Sequence, residues 1–229
     1  MPIFNKWEYN GAACGIWKVT ETAGELRSLL TDRSVSADFA KYKSAARQLE
    51  YLAVRVLLLE LLGGECRISH YESGKPYLED SAAKISISHT KGYVAVIVHP
   101  EKEVGIDIEY HSERVKKVVP RFVGAKEMSV INEKLNSVPC ETEKDKLMLN
   151  LYLLLWSAKE TMFKMIDASE VDFIRHLHVD SVSLHDNPVS YSSFCGIMSA
   201  HECRTAKGME MDVEFIVSEE FVCTYSCLD

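Results

Sequence analysis

The stretch Val104-Gly-Ile-Asp-Ile-Glu109 interleaves two acids with the apolar residues of a buried strand. Residues two apart on a strand share a face, so Asp107 and Glu109 point the same way. Neighbouring carboxylates repel, and a desolvated carboxylate without a partner is costly. The stretch therefore demands a positive neighbour for its acids, or water. What that neighbour is decides how the chain on either side is read.

Working outward, Lys84 to Tyr110 reads KISISHTKGYVAVIVHPEKEVGIDIEY. Ile85 and Ile87 alternate with serines, YVAVIV is rich in β-formers, and EKE makes a turn into VGIDIE. The pattern predicts three short strands, the middle one buried. Before them, YESGKPYLED (71–80) sets Gly74 and Pro76 around Lys75 and predicts a turn. Residues 44–62, SAARQLEYLAVRVLLLELL, put Leu49, Leu52, Val56 and Leu59 at helical spacing, with Gly63-Gly64 as the stop.

On the other side, HSERVKKVVPR (111–121) holds Arg114, Lys116, Lys117 and Arg121, the densest basic cluster in the chain. It reads either as a solvated face or as a docking patch for an acidic partner. A long helix is predicted from about Lys144 to Ile166, followed by the strand-like runs HVDSVSLHD, GIMSAHE, MDVEFIVS and EFVCTYSCL. Helix followed by strands thus occurs twice, without a residue-level repeat. Trp7, Tyr9 and Trp17 read as core aromatics.

The 229 residues are 47% apolar and 26% charged, the balance of a soluble globular protein. A net charge of −8 argues against nucleic-acid binding through a generic basic surface. Seven cysteines without a CxxC pair argue against a disulfide framework or a four-thiolate zinc site, and for reduced, mostly buried thiols. The N-terminus lacks the plan of a signal peptide, and LAVRVLLLELL (52–62) is too short to span a bilayer and carries Arg55 and Glu60. A cytoplasmic protein with no membrane association is expected. His176, His178, His185 and His201 lack metal-ligand spacing and read as surface or packing residues.

Chemistry enters with Trp156–Lys164, WSAKETMFK. Trp156, Glu160 and Lys164 lie four apart and share a helix face, with Lys159 and Phe163 beside them. One reading is a surface Glu→Lys pair stabilising the helix by ~0.2–0.5 kcal/mol. The flanks LYLLLW and MF argue instead for a largely buried helix, in which such charges need partners or a cleft. Asp107, Glu109 and Glu160 together would offer three carboxylates, which suit a hard divalent cation such as Mg2+. Arg47, Lys75, His89, Lys159 and Lys164 are candidate partners for phosphate, so the parts suit phosphoryl transfer. Neither GxxxxGK[ST] nor GxGxxG occurs.

GKPYL (74–78), SISHT (86–90), VGIDIE (104–109) and WSAKETMFK (156–164) resemble, in order and spacing, the 4′-phosphopantetheinyl transferases, in their larger branch of two similar halves in one chain. The resemblance spans roughly residues 40–180. It implies an α+β fold of two pseudo-symmetric halves (1–110 and 111–229), each a small antiparallel sheet packed with a long helix, with the active site at their interface. It implies Asp107, Glu109 and Glu160 as Mg2+ ligands, with Glu160 and Lys164 as the catalytic pair. Arg47, Lys75, Ser88 and His89 would hold the adenosine end of coenzyme A, His89 at the 3′-phosphate. Lys159 and Lys164 would face the diphosphate. A serine hydroxyl of an acyl or peptidyl carrier protein would attack the β-phosphate and 3′,5′-ADP would leave. A two-half chain of this kind is expected to be a monomer. Two departures stand out: Ser86 occupies a position where asparagine is frequent, and MIDASEVDF (165–173) replaces a Gly-Lys-Gly type turn. Two rival functions are a non-catalytic coenzyme A or carrier-binding module, and another Mg2+-dependent diphosphate-cleaving enzyme.

Overall fold

A computed structural model describes residues 3–32, 39, 42–166, 168–185 and 191–228. Asp167, within the 165–173 stretch, and Asp186, at the end of HVDSVSLHD, lie outside the described residues. The chain divides into two compact units between Val104 and Gly105. Each is an antiparallel sheet packed with a long helix, the α+β plan expected.

In the first unit, strands β1 (Ile3–Tyr9) and β2 (Ala12–Lys18) form a hairpin. Strands β5 (Lys84–Thr90) and β6 (Tyr93–His99) complete a sheet of order β1-β2-β6-β5. Helix α1 (Ala23–Ser28) is short; α2 (Ala45–Leu62) is the predicted helix, and Gly63 ends it at φ 72°, a left-handed conformation that costs glycine least. Leu52, Val56 and Leu57 of α2 pack with Trp17, Ile85, Val94, Val96 and Val98. At about 25 cal/mol per Å2 of apolar surface, each such side chain stabilises by roughly 1.5–3 kcal/mol. Strand β6, expected to be the buried one, is buried at all seven positions. The turn read at 71–80 joins β3 (Ile68–His70) to β4 (Pro76–Leu78), closed by the Tyr71 N–H to the Lys75 carbonyl at 3.0 Å. Among the expected core aromatics, Trp17 is fully buried; Trp7 and Tyr9 are only half-buried, because they lie on the edge strand β1.

In the second unit, β7 (Val104–Tyr110) joins β8 (Leu177–Leu184), β9 (Phe194–Glu202), β10 (Met209–Val217) and β11 (Phe221–Cys227) in the order β7-β11-β10-β9-β8. The strand carrying VGIDIE therefore follows β5 and β6 in sequence but pairs with β11. The basic segment 111–121 forms two 3-10 turns, Glu113–Lys117 and Val119–Arg121, pinned by buried Val115 and Val119. Helices α3 (Ala125–Asn136) and α4 (Glu141–Met165) follow. Leu151, Leu154, Leu155, Ala158 and Met162 of α4 share a core with Met198, Val213 and Phe215. Among the described residues no helix is long and apolar enough to cross a membrane.

Candidate active site

Strand β7 runs beside helix α4. Asp107 reaches Lys164 and Glu109 reaches Trp156, two strand residues (about 6.6 Å) against eight helix residues (about 12 Å), a difference that the long lysine and tryptophan side chains span. Gly105 sets the closeness: a Cβ there would lie 2.5 Å from the Thr161 carbonyl oxygen. The helix is held against the neighbouring strand β11 by Ser157 and Thr161, whose hydroxyls meet Thr224 Oγ1 at 2.9 and 2.7 Å.

From that starting point the pairing runs along both elements. Lys164 Nζ donates to Asp107 Oδ1 and to the Ile106 carbonyl, both at 2.8 Å. Trp156 Nε1 donates to Glu109 Oε1 at 2.8 Å. Burial pushes the Glu109 carboxyl up to about 7; the charges of Asp107 and Glu160 add to this, while the Trp156 N–H and Lys164 oppose it. Glu160 is also raised, by burial first and then by Asp107, with Lys164 opposing. Asp107, Glu109, Glu160 and Lys164 thus form one electrostatically coupled set on a largely buried face.

Three carboxylates against one ammonium leave two negative charges to neutralise when all are ionised. All the donors are hard oxygens, so the set fits a divalent cation such as Mg2+ in charge and chemistry. As the side chains stand, no group of three or more His, Cys, Asp or Glu among the described residues is gathered closely enough to hold a metal ion. The positive neighbour that VGIDIE demanded is, in this arrangement, Lys164.

Lys159 meets a different set of partners. Its side chain is fully buried, and its three N–H donors are matched by the Phe122 carbonyl at 2.5 Å, the Phe173 carbonyl at 2.8 Å and Glu127 Oε1 at 2.7 Å. An ammonium has three donors, and all three are used here. Burial lowers the proton affinity of Lys159 while Glu127 supports it. Glu127 is the residue that sequence reading missed. Its carboxylate also accepts from the N–H groups of Gly124 (2.7 Å) and Val179 (3.0 Å), tying the start of α3, strand β8 and α4 together. Its place three residues after the N-cap Gly124 is that of the acid in a capping box, but glycine has no side chain to complete one, so the sequence carries only half of the signature.

In the first unit, Arg47, Glu50 and His89 form a cluster. Arg47 Nη1 lies 2.6 Å from His89 Nε2 and 3.1 Å from Glu50 Oε2, and His89 Nδ1 is 3.6 Å from Glu50. Arginine only donates, so His89 Nε2 is the acceptor. These side chains line a cleft of about 260 Å3 with Tyr42, Tyr51, Arg55 and His70. Arg55 lies over the Tyr51 ring at 3.4 Å and, after burial, is what lowers the proton affinity of His70. Arg55 and His70 add basic groups that sequence reading had not assigned. Lys75, between the cleft residues Gly74 and Pro76, is paired with Glu103 at 2.8 Å. Ser88 is buried with Ser86 on the face of β5 opposite Ile87 and His89, and its hydroxyl is not among the groups lining this cleft.

No curated protein matches the chain. The family model described as the 4′-phosphopantetheinyl transferase superfamily matches residues 103–225. That span is more than half of the 229 residues and contains the whole β7–α4 pairing, from Gly105 against Thr161 to Glu109 against Trp156. The chain belongs to the 4′-phosphopantetheinyl transferase superfamily.

Proposed function

We propose that this chain transfers the 4′-phosphopantetheine group of coenzyme A to a serine of an acyl or peptidyl carrier protein, acting in the cytoplasm as a monomer. The observation that carries the reading is the charge imbalance of the β7–α4 set, in which Glu109 and Glu160 are both driven toward protonation. Asp107, Glu109 and Glu160 are the residues that would hold Mg2+. Bound there, the ion would offset both the excess carboxylate charge and that of a diphosphate.

The chain's own groups then take these roles. Glu160 accepts the proton of the carrier serine, directly or through a water that it orients. The serine oxygen forms a bond to the β-phosphorus as the bond to the 3′,5′-ADP oxygen breaks. Lys164 stabilises charge on the phosphate oxygens, and the Trp156 N–H orients Glu109. Arg47 and His89 contact the 3′-phosphate of the adenosine end, with Lys75 beside them.

Intact-protein mass spectrometry of apo carrier proteins, incubated with the chain, coenzyme A and Mg2+, tests this. The expected result is a phosphopantetheine mass gain that EDTA abolishes and that Asp107→Ala and Glu160→Ala each eliminate. Transfer by either variant would remove that residue from the site. Coenzyme A binding without transfer to fatty-acid or peptidyl carriers would favour a non-catalytic module, and 3′,5′-ADP release without an acceptor would favour a diphosphate hydrolase.

A further inference from the structure

Away from this site, the ladder β8–β9–β10 carries two cysteine–histidine pairs, one at each end of the β8–β9 hairpin. Cys195 Sγ lies 3.7 Å from His185 Nδ1, and Cys203 Sγ lies 3.7 Å from His178 Nε2. Equal distances hide opposite chemistry. His178 Nε2 and Cys203 Sγ both lie 3.1 Å from the Arg175 carbonyl. A carbonyl only accepts, so Nε2 of His178 carries its proton there and cannot take one from the thiol. The Cys203 S–H is itself committed to that carbonyl.

At the other pair the tautomer is reversed. His185 Nε2 faces Glu214 Oε2 at 3.5 Å, and a carboxylate likewise only accepts. At that distance the carboxylate makes no hydrogen bond, but its charge favours the proton on Nε2, which leaves the lone pair of Nδ1 toward Cys195. Strand pairing fixes the arrangement, since the His185 N–H donates to the Cys195 carbonyl at 3.1 Å. Nucleophile, base and orienting carboxylate stand in sequence, as an activated thiol requires. Cys195 is exposed, and on β10 Glu210, Asp212 and Glu214 alternate with buried residues and share the solvent-facing side.

We propose that Cys195 is a nucleophilic thiol that exchanges with small disulfides, cationic ones foremost, using His185 as proton acceptor and Glu214 to hold the imidazole. The Cys195 proton passes to His185 Nδ1 and the thiolate attacks one sulfur of the disulfide. A mixed disulfide forms at Cys195 as the original S–S bond breaks. The other half leaves as a thiolate, which takes the proton back from His185. Cys195 is oxidised and the released half reduced, so the small disulfide itself is the oxidant. The acids on β10 attract an ammonium-bearing disulfide and repel an anionic one.

The other cysteines are internal controls. Cys14, Cys223 and Cys227 are buried, Cys66 is half-buried, and Cys140 is exposed at the start of α4. The full chain is incubated at pH 7 with cystamine or with neutral hydroxyethyl disulfide, quenched, and each mixed disulfide quantified by peptide mass spectrometry. Cys195 is expected to react about tenfold faster than Cys140 and Cys203, with cystamine ahead of hydroxyethyl disulfide. His185→Gln, an exposed substitution whose fold is checked by thermal melting, is expected to slow Cys195 about tenfold and leave Cys140 unmoved. A faster Cys140 or Cys203, or a Cys195 rate indifferent to His185→Gln, overturns the assignment. Equal rates with the two disulfides overturn the cationic preference.

Discussion

Glu109→Gln should make the metal-free protein more stable at pH 8 while abolishing transfer. In the folded chain Glu109 titrates at about 7 against an ordinary 4.5. Below pH 4.5 both folded and unfolded states carry the proton and nothing is lost. Between pH 4.5 and 7 the unfolded state ionises while the folded state keeps its proton, so stability falls as pH rises; above 7 the loss is complete. At 1.36 kcal/mol per tenfold the full difference is about 3 kcal/mol, and partial solvent exposure reduces it to roughly 1–3 kcal/mol. Glutamine removes the charge yet keeps an oxygen to accept the Trp156 N–H, so the neighbouring contact survives. For units of this size the gain corresponds to a rise in Tm of roughly 3–15 °C. The assay is thermal melting in EDTA at pH 5 and pH 8, followed by the transfer assay with Mg2+. A Tm gain that is the same at both pH values, or a Tm that falls at pH 8, would refute the reasoning.

Three further predictions follow from named contacts. Lys159→Met leaves Glu127 buried without its counter-charge and should cost about 3–5 kcal/mol in denaturant unfolding; Lys159→Met/Glu127→Gln should recover part of it, whereas a stable Lys159→Met with a raised KM for coenzyme A would restore Lys159 as a ligand. Gly105→Ala places a methyl 2.5 Å from the Thr161 carbonyl; it should cost roughly 1–3 kcal/mol and, by pushing α4 from β7, lower transfer well beyond the loss of folded protein. Burial works to raise Glu103, but the Lys75 and Lys84 ammoniums outweigh it and hold its carboxyl below 4.5. Glu103→Gln should therefore lower stability at pH 7, by about 1 kcal/mol or less for so exposed a pair, and the difference should disappear as pH falls through the folded value.

Local periodicity carried much of the architecture. The Leu49–Leu59 spacing with Gly63 behind it marked α2, the alternation around Ile85 marked β5, and each of the four runs after residue 176 became a strand. The β1–β2 hairpin went unread although Asn10-Gly11 between alternating residues is a strong hairpin signal. That β7 leaves β5 and β6 to pair with β11 depends on partners more than a hundred residues away in sequence, which no local pattern specifies. Ser88 is different, because the period of two that put Asp107 beside Glu109 also separates Ser88 from His89. The Cys195–His185–Glu214 set is legible only once β8, β9 and β10 are paired, since none of its spacings is a motif.

The two lysines of WSAKETMFK show where the sequence held more than was taken from it. Each helical residue turns about 100°, so Lys164 lies about 40° around the helix from Glu160, but Lys159 lies about 140° from Lys164. Two groups that far apart cannot face one diphosphate from the same helix unless the ligand wraps it. The helix instead uses them separately. Lys164 lies on the face toward β7 and meets Asp107, whereas Lys159 turns toward the α3 side and meets Glu127. The buried pair keeps its charge balanced one to one, so α4 is anchored by a contact that need not change when a ligand binds. The acids facing Lys164 outnumber it, so charge is left over only on the β7 side. A helix fixed on one side and under-neutralised on the other presents its unmet charge to one place, which is where a cation and a diphosphate would have to meet.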